Sequence, residues 1–492
     1  MTDPKSRPSL KLVLGVSALG VLAACDGGID IADGGIRGTG DSVGPVSGFG
    51  SVFVNGVRFD TSSLNGKITS NDGIDTEALL EKGMIVRVEG KWQDDGQGTA
   101  TALEYDDTLR GKVSDVVFDE KRDRLTFSMY GQAVRADTQT VFKDTKLSSL
   151  KDGDFVRVSA WLADNGYRAS FIGLIEDGLE DDIEVEGSVD SFSMQTNLNS
   201  FRIKGQLVQY SSASLASSGL SEDALGDGRL LEVEGALVDG TIVARSIRPH
   251  DGARYRSSEG ADTELSGPAN AVNPSLGFYR VGGQLVELSA DTEFAGLNAE
   301  DFGNDLLVKV EGEIREGVLV AESVERRESG AKVEAVITQV PDLSTQRLEV
   351  GGVPVLVNSS TLIADDDQEG LRMTFERLQL GDSIEVDGIE KLDAAGNVYL
   401  EAVKIERNSE DGADGDSDEP GAVASFELEG NLIQSSMTDL QILGVTMAIT
   451  ENSTLDDAEA LLPGRVVGVQ YRLLDNGSYE ILEVDVDDDD DD

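Results

Sequence analysis

The chain has 492 residues, with 93 Asp or Glu against 41 Lys or Arg, a formal charge of −52. A field of that sign repels phosphate backbones, which excludes nucleic acid as a partner. One cysteine and one histidine exclude an internal disulfide, a multi-cysteine zinc site and any two-histidine metal centre.

The chain opens with Lys5, Arg7 and Lys11, then an apolar run from Leu12 to Leu22, then Ala23, Ala24 and Cys25. This is the layout of a secretory signal: cationic start, apolar middle, small residues at the cut. The run is about half the ~20 residues that a membrane span needs. Leu-Ala-Ala-Cys at 22–25 resembles the bacterial lipobox. That resemblance implies cleavage before Cys25 and its acylation, which uses up the thiol; two or three acyl chains anchor stably where one is marginal. The expectation is a cell-envelope lipoprotein of a Gram-negative bacterium, facing the periplasm and held to the membrane by its N-terminal lipid. Asp26 resembles the inner-membrane retention signal of enterobacterial lipoproteins, a rule that varies among groups, so inner or outer membrane stays open. Removing the signal (Lys5, Arg7 and Lys11 against Asp3, net +2) takes the charge from −52 to −54. Residues 1–24 read as signal peptide and 25–43, rich in Gly and Asp, as a flexible tether.

Beyond the tether one pattern recurs, Gly-x-φ-φ-x-Val-x-Gly with φ apolar: GMIVRVEG at 83–90, GDFVRVSA at 153–160, GRLLEVEG at 228–235, DLLVKVEG at 305–312, GDSIEVDG at 381–388 and GRVVGVQY at 464–471. Period-two alternation of β-branched residues predicts a half-buried strand. A first strand precedes each copy (LRGKV at 109–113, VEGSV at 185–189, LSGPA at 265–269, LEGNL at 428–432), with VSGFG at 46–50 and VEAVI at 333–337 in its place elsewhere. A Gly-marked hairpin, a third strand and a short helix-like piece follow; a closing strand such as TIVARSIRP at 241–249 ends the unit. The predicted order is β-β-β-α-β-β. The fold class is all-β with short helices, as tandem five-stranded OB-like barrels in about six repeats. The expected barrels are 44–107, 108–180, 181–252, 261–328, 331–407 and 422–486, with an acidic linker at 408–421 and a poly-Asp tail at 487–492.

A lipobox followed by such units resembles the bacterial domain-of-unknown-function family 5666. The best match is GFGSVFVNGVRFDTSS at 48–63, continued by GMIVRVEG and ATALEYDD at 100–107. The resemblance spans 44–486, strongest in the first unit and weakest in the last. The family has no assigned catalytic residues, so it implies location and fold and no mechanism.

Candidate sites are few. Asp414, Asp416 and Asp418 have the alternate spacing that opens an EF-hand loop, but Glu419 stands where Gly is needed, Pro420 follows, and Ser425 replaces the bidentate Glu. These residues, with Asp365, Asp366 and Asp367 and the run from Asp487 to Asp492, are expected to bind Ca2+ or Mg2+ only loosely. No specific metal, cofactor or catalytic residue is expected. His250, in Arg-Pro-His-Asp, reads as an exposed strand end. Trp92 and Trp161 read as packing at barrel ends, with an exposed sugar-stacking platform as the alternative. The functional expectation is a non-enzymatic structural or binding scaffold whose partner is an unidentified envelope protein or polysaccharide. The alternatives are an oligosaccharide- or ligand-binding module and, third, a carboxylate-dependent hydrolase.

Overall fold

A Val-x-Val strand buries one face and leaves the other free, so each repeat needs a closed surface to bury its apolar side against. A computed structural model describes residues 38–486 except 94, 179–180, 196–197, 217, 223–224, 251–256, 366–371, 409–424, 437 and 456–460. Cys25, Asp366, Asp367, Asp414, Asp416, Asp418, Asp487 and Asp492 lie outside the described residues. Every recurring core pair is buried: Val86/Val88, Val156/Val158, Leu231/Val233, Val308/Val310, Ile384/Val386 and Val467/Val469.

Barrel 3 shows how the surface closes. Its strands are Ile183–Gln195, Leu198–Ile203, Gln206–Gln209, Leu230–Val238 and Thr241–Pro249. The first pairs with the second, the second with the third, the third in parallel with the fifth, the fifth with the fourth, and the fourth with the first. The same five pairings close barrels 1, 4 and 6. This is the five-stranded OB-like barrel, repeated. The piece predicted as a helix is a single 3₁₀ turn in barrels 1 and 5, Glu77–Leu79 and Phe375–Arg377. Among the described residues the one α-helix is Ser212–Ala216 in barrel 3. The two 3₁₀ segments are too short to pass the costly first turn of an α-helix. No described helix is long and apolar enough to cross a membrane.

The barrels also join edge to edge. The first strand of barrel 1, Gly38–Gly48, starts inside the stretch read as tether and pairs in parallel with the first strand of barrel 4, Asp262–Asn273, from Gly40↔Asp262 to Val43↔Leu265. Barrel 2 meets barrel 3 through Arg110↔Glu184 and Leu109↔Val185. Barrel 5 meets barrel 6 through Lys332↔Glu429 to Glu334↔Glu427. Sheets of 11, 12 and 12 strands result. Buried cations fasten one pair to the next. Lys82 Nζ donates to the carbonyls of Ile363 and Met373 at 2.6 Å each, and Lys404 Nζ to those of Thr138 and Thr140 at 2.8 and 3.1 Å. Arg168 grips both oxygens of Glu328 at 2.7 and 2.8 Å.

Candidate functional site

The chain passes from barrel 1 to barrel 2 through Asp106-Asp107-Thr108, between the strands Gln97–Tyr105 and Leu109–Lys112. So short a connection holds both aspartates at the seam, and barrel 3 closes over them. Alternation in Ile183–Gln195 and Leu230–Val238 sends Val185 and Val233 into the barrel and Glu184, Glu186, Glu232 and Glu234 out of it. Their outward face is the face that barrels 1 and 2 cover. Glu184 and Glu186 are 0% and 2% exposed, Glu232 and Glu234 6% and 5%.

Two carboxylate sets share Glu184: Asp72, Asp107 and Glu184, and Asp106, Glu184, Glu186 and Glu232, each with oxygens within 4.8 Å of one another. The first set is answered by arginine. Arg110 lies 2.8 Å from Asp72, 2.5 Å from Asp107 and 3.4 Å from Glu184. Arg157 Nε donates to Asp107 at 2.8 Å. The Tyr105 hydroxyl donates to the same carboxylate at 2.6 Å, and the Asp107 N–H donates to Asp72 at 2.7 Å. The second set has Arg248, which pairs with Glu232 and lies 2.8 Å from Glu234. His250 Nε2 sits 3.6 Å from Glu186. Burial, then the charges of Asp72, Asp106 and Glu232, push Glu184 well above the usual carboxylate range. Arg110 is pushed up by Asp107, Glu184 and Asp72 against the effect of burial, and keeps its charge throughout.

Several sequence expectations change here. His250 is not an exposed strand end; its side chain is 12% exposed and faces Glu186. The outward-facing Glu232, one residue from the core Val233, is buried too, because a neighbouring barrel covers that face. Asp365, expected to be a loose cation ligand, is ion-paired with Arg407. Trp92 is buried edge-on against Phe59, with ring centroids 5.8 Å apart. Trp161 leaves barrel 2 and enters the core of barrel 4, close against Gly267 and Gly282. Neither ring is a sugar platform. Sequence reasoning missed Glu184, Glu186 and Glu232 as a group. The signal was present: Glu-x-Glu occurs at the same strand positions on two adjacent strands, 184/186 and 232/234, which pairing places opposite each other.

Enclosure limits the chemistry. Asp72, Asp107 and Glu184 are sealed from solvent, so a sugar ring cannot reach them as an acid–base pair. What the arrangement can hold is an ion or a proton.

No curated protein matches the sequence. Among solved structures, a segment titled "drosophila Unr CSD456" is 13% identical, covering 44% of this chain and 97% of its own, with a TM-score of 0.12. A multidomain protein with nucleic acid binding domains from Streptococcus pneumoniae is 9% identical, covering 46% of this chain and 72% of its own, also with a TM-score of 0.12. At such scores neither likeness carries an argument. The family described as "Domain of unknown function (DUF5666)" matches residues 41–104, 110–173, 186–248, 266–325 and 334–406, one match in each of the first five barrels. With most of its length so matched, and a sixth barrel repeating the same strand pairings, the chain belongs to the DUF5666 family.

Proposed function

We propose that this protein is a non-enzymatic, lipid-anchored scaffold of the bacterial cell envelope, tethered through Cys25 and facing the periplasm of a Gram-negative cell. The observation that carries the reading is where the polar side chains go. Buried charges gather at the seams between barrels, as in Lys82, Arg110, Arg168 and Lys404, where they fasten one barrel to the next. A large surface held rigid in this way suits presentation of an outer face to an envelope protein or polysaccharide. Burial of both tryptophans counts against the oligosaccharide-binding alternative.

The lipid and the scaffold are tested separately. Cys25→Ala is expected to abolish labelling by a radioactive fatty acid, and blocking the lipoprotein signal peptidase to leave a longer precursor. Normal maturation of the alanine variant would overturn the anchor. Crosslinking in intact envelopes is expected to join the anchored chain to a fixed set of neighbours. That set should survive substitution of single surface carboxylates and be lost when a seam is broken. A turnover activity abolished by one surface carboxylate substitution would replace the scaffold with an enzyme.

A further inference from the structure

Glu184 is completely buried, yet neither of its oxygens accepts a hydrogen bond from a donor among the described residues; its contact with the Asp72 carboxyl needs a proton between the two groups. The Arg110 guanidinium stands off at 3.4 Å and is engaged at shorter range by Asp72 and Asp107. Asp72 is itself a carboxyl, already accepting from Arg110 and from the Asp107 N–H. A second feature points to the same spot from the sheet. Glu186 and Glu232 are paired directly across two strands, and Glu184 lies opposite Glu234. Like charges so placed destabilise a sheet unless something between them attracts both. Arg248 serves Glu232 and Glu234. Glu184 and Asp106 complete the ring on the side of the barrel 1–2 connection.

We propose that Asp106, Glu184, Glu186 and Glu232 bind one hard divalent cation, Ca2+ before others, which draws barrel 3 onto the connection between barrels 1 and 2. The donor set decides the class. Four carboxylates offer four to eight oxygens, matching the six to eight that Ca2+ takes at about 2.3–2.6 Å. Their oxygens lie within 4.8 Å of one another, a span that one ion with ~2.4 Å bonds bridges. No thiolate is present to favour a soft metal. The ligands come from two places far apart in sequence, the barrel 1–2 connection and barrel 3, so binding would close a junction as well as fill a hole. The site uses none of the residues of the acid runs at 365–367, 414–418 and 487–492, and it stands whether or not the chain is lipid-anchored.

The test uses the full chain stripped with EDTA, titrated calorimetrically with CaCl2, MgCl2 and ZnCl2 at high monovalent salt, where diffuse binding to exposed acids is screened. The expected result is one saturable Ca2+ event per chain, with a melting temperature that rises as the site fills. Glu184→Gln and Glu232→Gln should each weaken that event about tenfold or more, at least the loss seen when an outer partner of a metal ligand is removed. In EDTA, Glu184→Gln should melt close to the parent, because an amide fills the same space without the buried charge. If it does not fold, the parent titration and Glu232→Gln decide. Absence of a saturable event in the parent overturns the proposal, as does an event that both variants keep. Removal of Asp487–Asp492 should leave the event intact; its loss would assign the ion to the tail. Saturation by Zn2+ without a response to Ca2+ overturns the hard-cation assignment.

Discussion

Val233 and Glu232 are neighbours on one strand and opposites in environment, yet both are buried. Val233 lies in the core of barrel 3, so Val233→Asp places an unpartnered charge there, costs several kcal/mol and is expected to unfold that barrel. Taken alone, alternation would make Glu232→Lys harmless. The covered outer face changes that expectation. The substitution removes one of the two partners of Arg248, leaving Glu234, and sets a second cation beside it. A broken buried pair costs ~3–5 kcal/mol, and Arg248 is about one-third exposed; the expected loss is therefore ~1–3 kcal/mol in urea unfolding. Glu322→Lys, on an exposed residue, is the control, at under ~0.5 kcal/mol. A further expectation concerns pH. Burial, then the Glu385 charge, pushes Asp387 up to about 7 although Lys404 and Lys332 pull it down. Burial likewise takes Glu264 to about 7 against the pull of Lys309. An unfolded carboxyl titrates near ~4. Between pH ~4 and ~7 the unfolded chain therefore gives up protons that the folded chain keeps, and stability falls as pH rises through that window, levelling above it. Glu325 and Glu328 work the other way: burial raises them, but Arg327 and Arg168 outweigh it and leave both depressed, so their contribution is lost as pH falls below the usual carboxylate range. Melting temperature against pH should peak on the acid side of neutrality, and Asp387→Asn should flatten the fall between the peak and pH ~7. A curve rising steadily to neutrality would contradict this assignment.

At the scale of strands, what could be read in the sequence was whatever repeats. Each copy of the motif runs antiparallel to its closing strand, and the position that ends it marks a real irregularity: the register shifts at Glu89/Gly90, Glu234/Gly235, Glu311/Gly312 and Asp387/Gly388, and equally at Ser159/Ala160 and Gln470/Tyr471 where no glycine stands. Strand order within a barrel followed, because pairing there is local. Pairing between barrels did not follow, since it depends on which edge meets which and no period encodes that. The carboxylate junction was hidden for the same reason: its members are unremarkable polar positions until a second barrel covers them. Gly40 holds one of these unsignalled seams. A Cβ there would lie 1.8 Å from the Asp262 carbonyl oxygen, so Gly40→Val cannot keep the parallel pairing of barrels 1 and 4. Overpacking of this kind costs about 1–3 kcal/mol or more. Limited proteolysis should cut the variant sooner than its parent. Gly226, with open space around it, should accept alanine without change. Equal resistance of Gly40→Val and parent would mean that the seam does not form in solution.

For the whole molecule, the charge has two populations. Some carboxylates are already spent on arginines and lysines at the seams, and these should respond little to salt. Many of the other described carboxylates face solvent, on a chain of formal charge −52, and repel one another over a screening length of ~8 Å at physiological ionic strength. Raising monovalent salt toward marine levels should increase the melting temperature and shrink the scattering dimensions. Stability unchanged by salt would mean that the exposed acids are balanced within the fold as well. The seam between barrels 1 and 4 also sets a clock. Ser42 hydrogen-bonds Glu264 across a separation of 222 residues. A ribosome adding ~5–20 residues per second needs roughly 11–44 s to cover that distance. Barrel 1 has all its strands once Tyr105 is made, and the 159 residues from there to Glu264 take roughly 8–32 s at that rate; over that time it carries one bare strand edge, the kind of edge that recruits stray strands, while barrels 2 and 3 are still emerging. The newborn chain therefore spends roughly 8–32 s as an unfinished template, and any helper that shields one strand of barrel 1 over that time would govern how much of the protein matures.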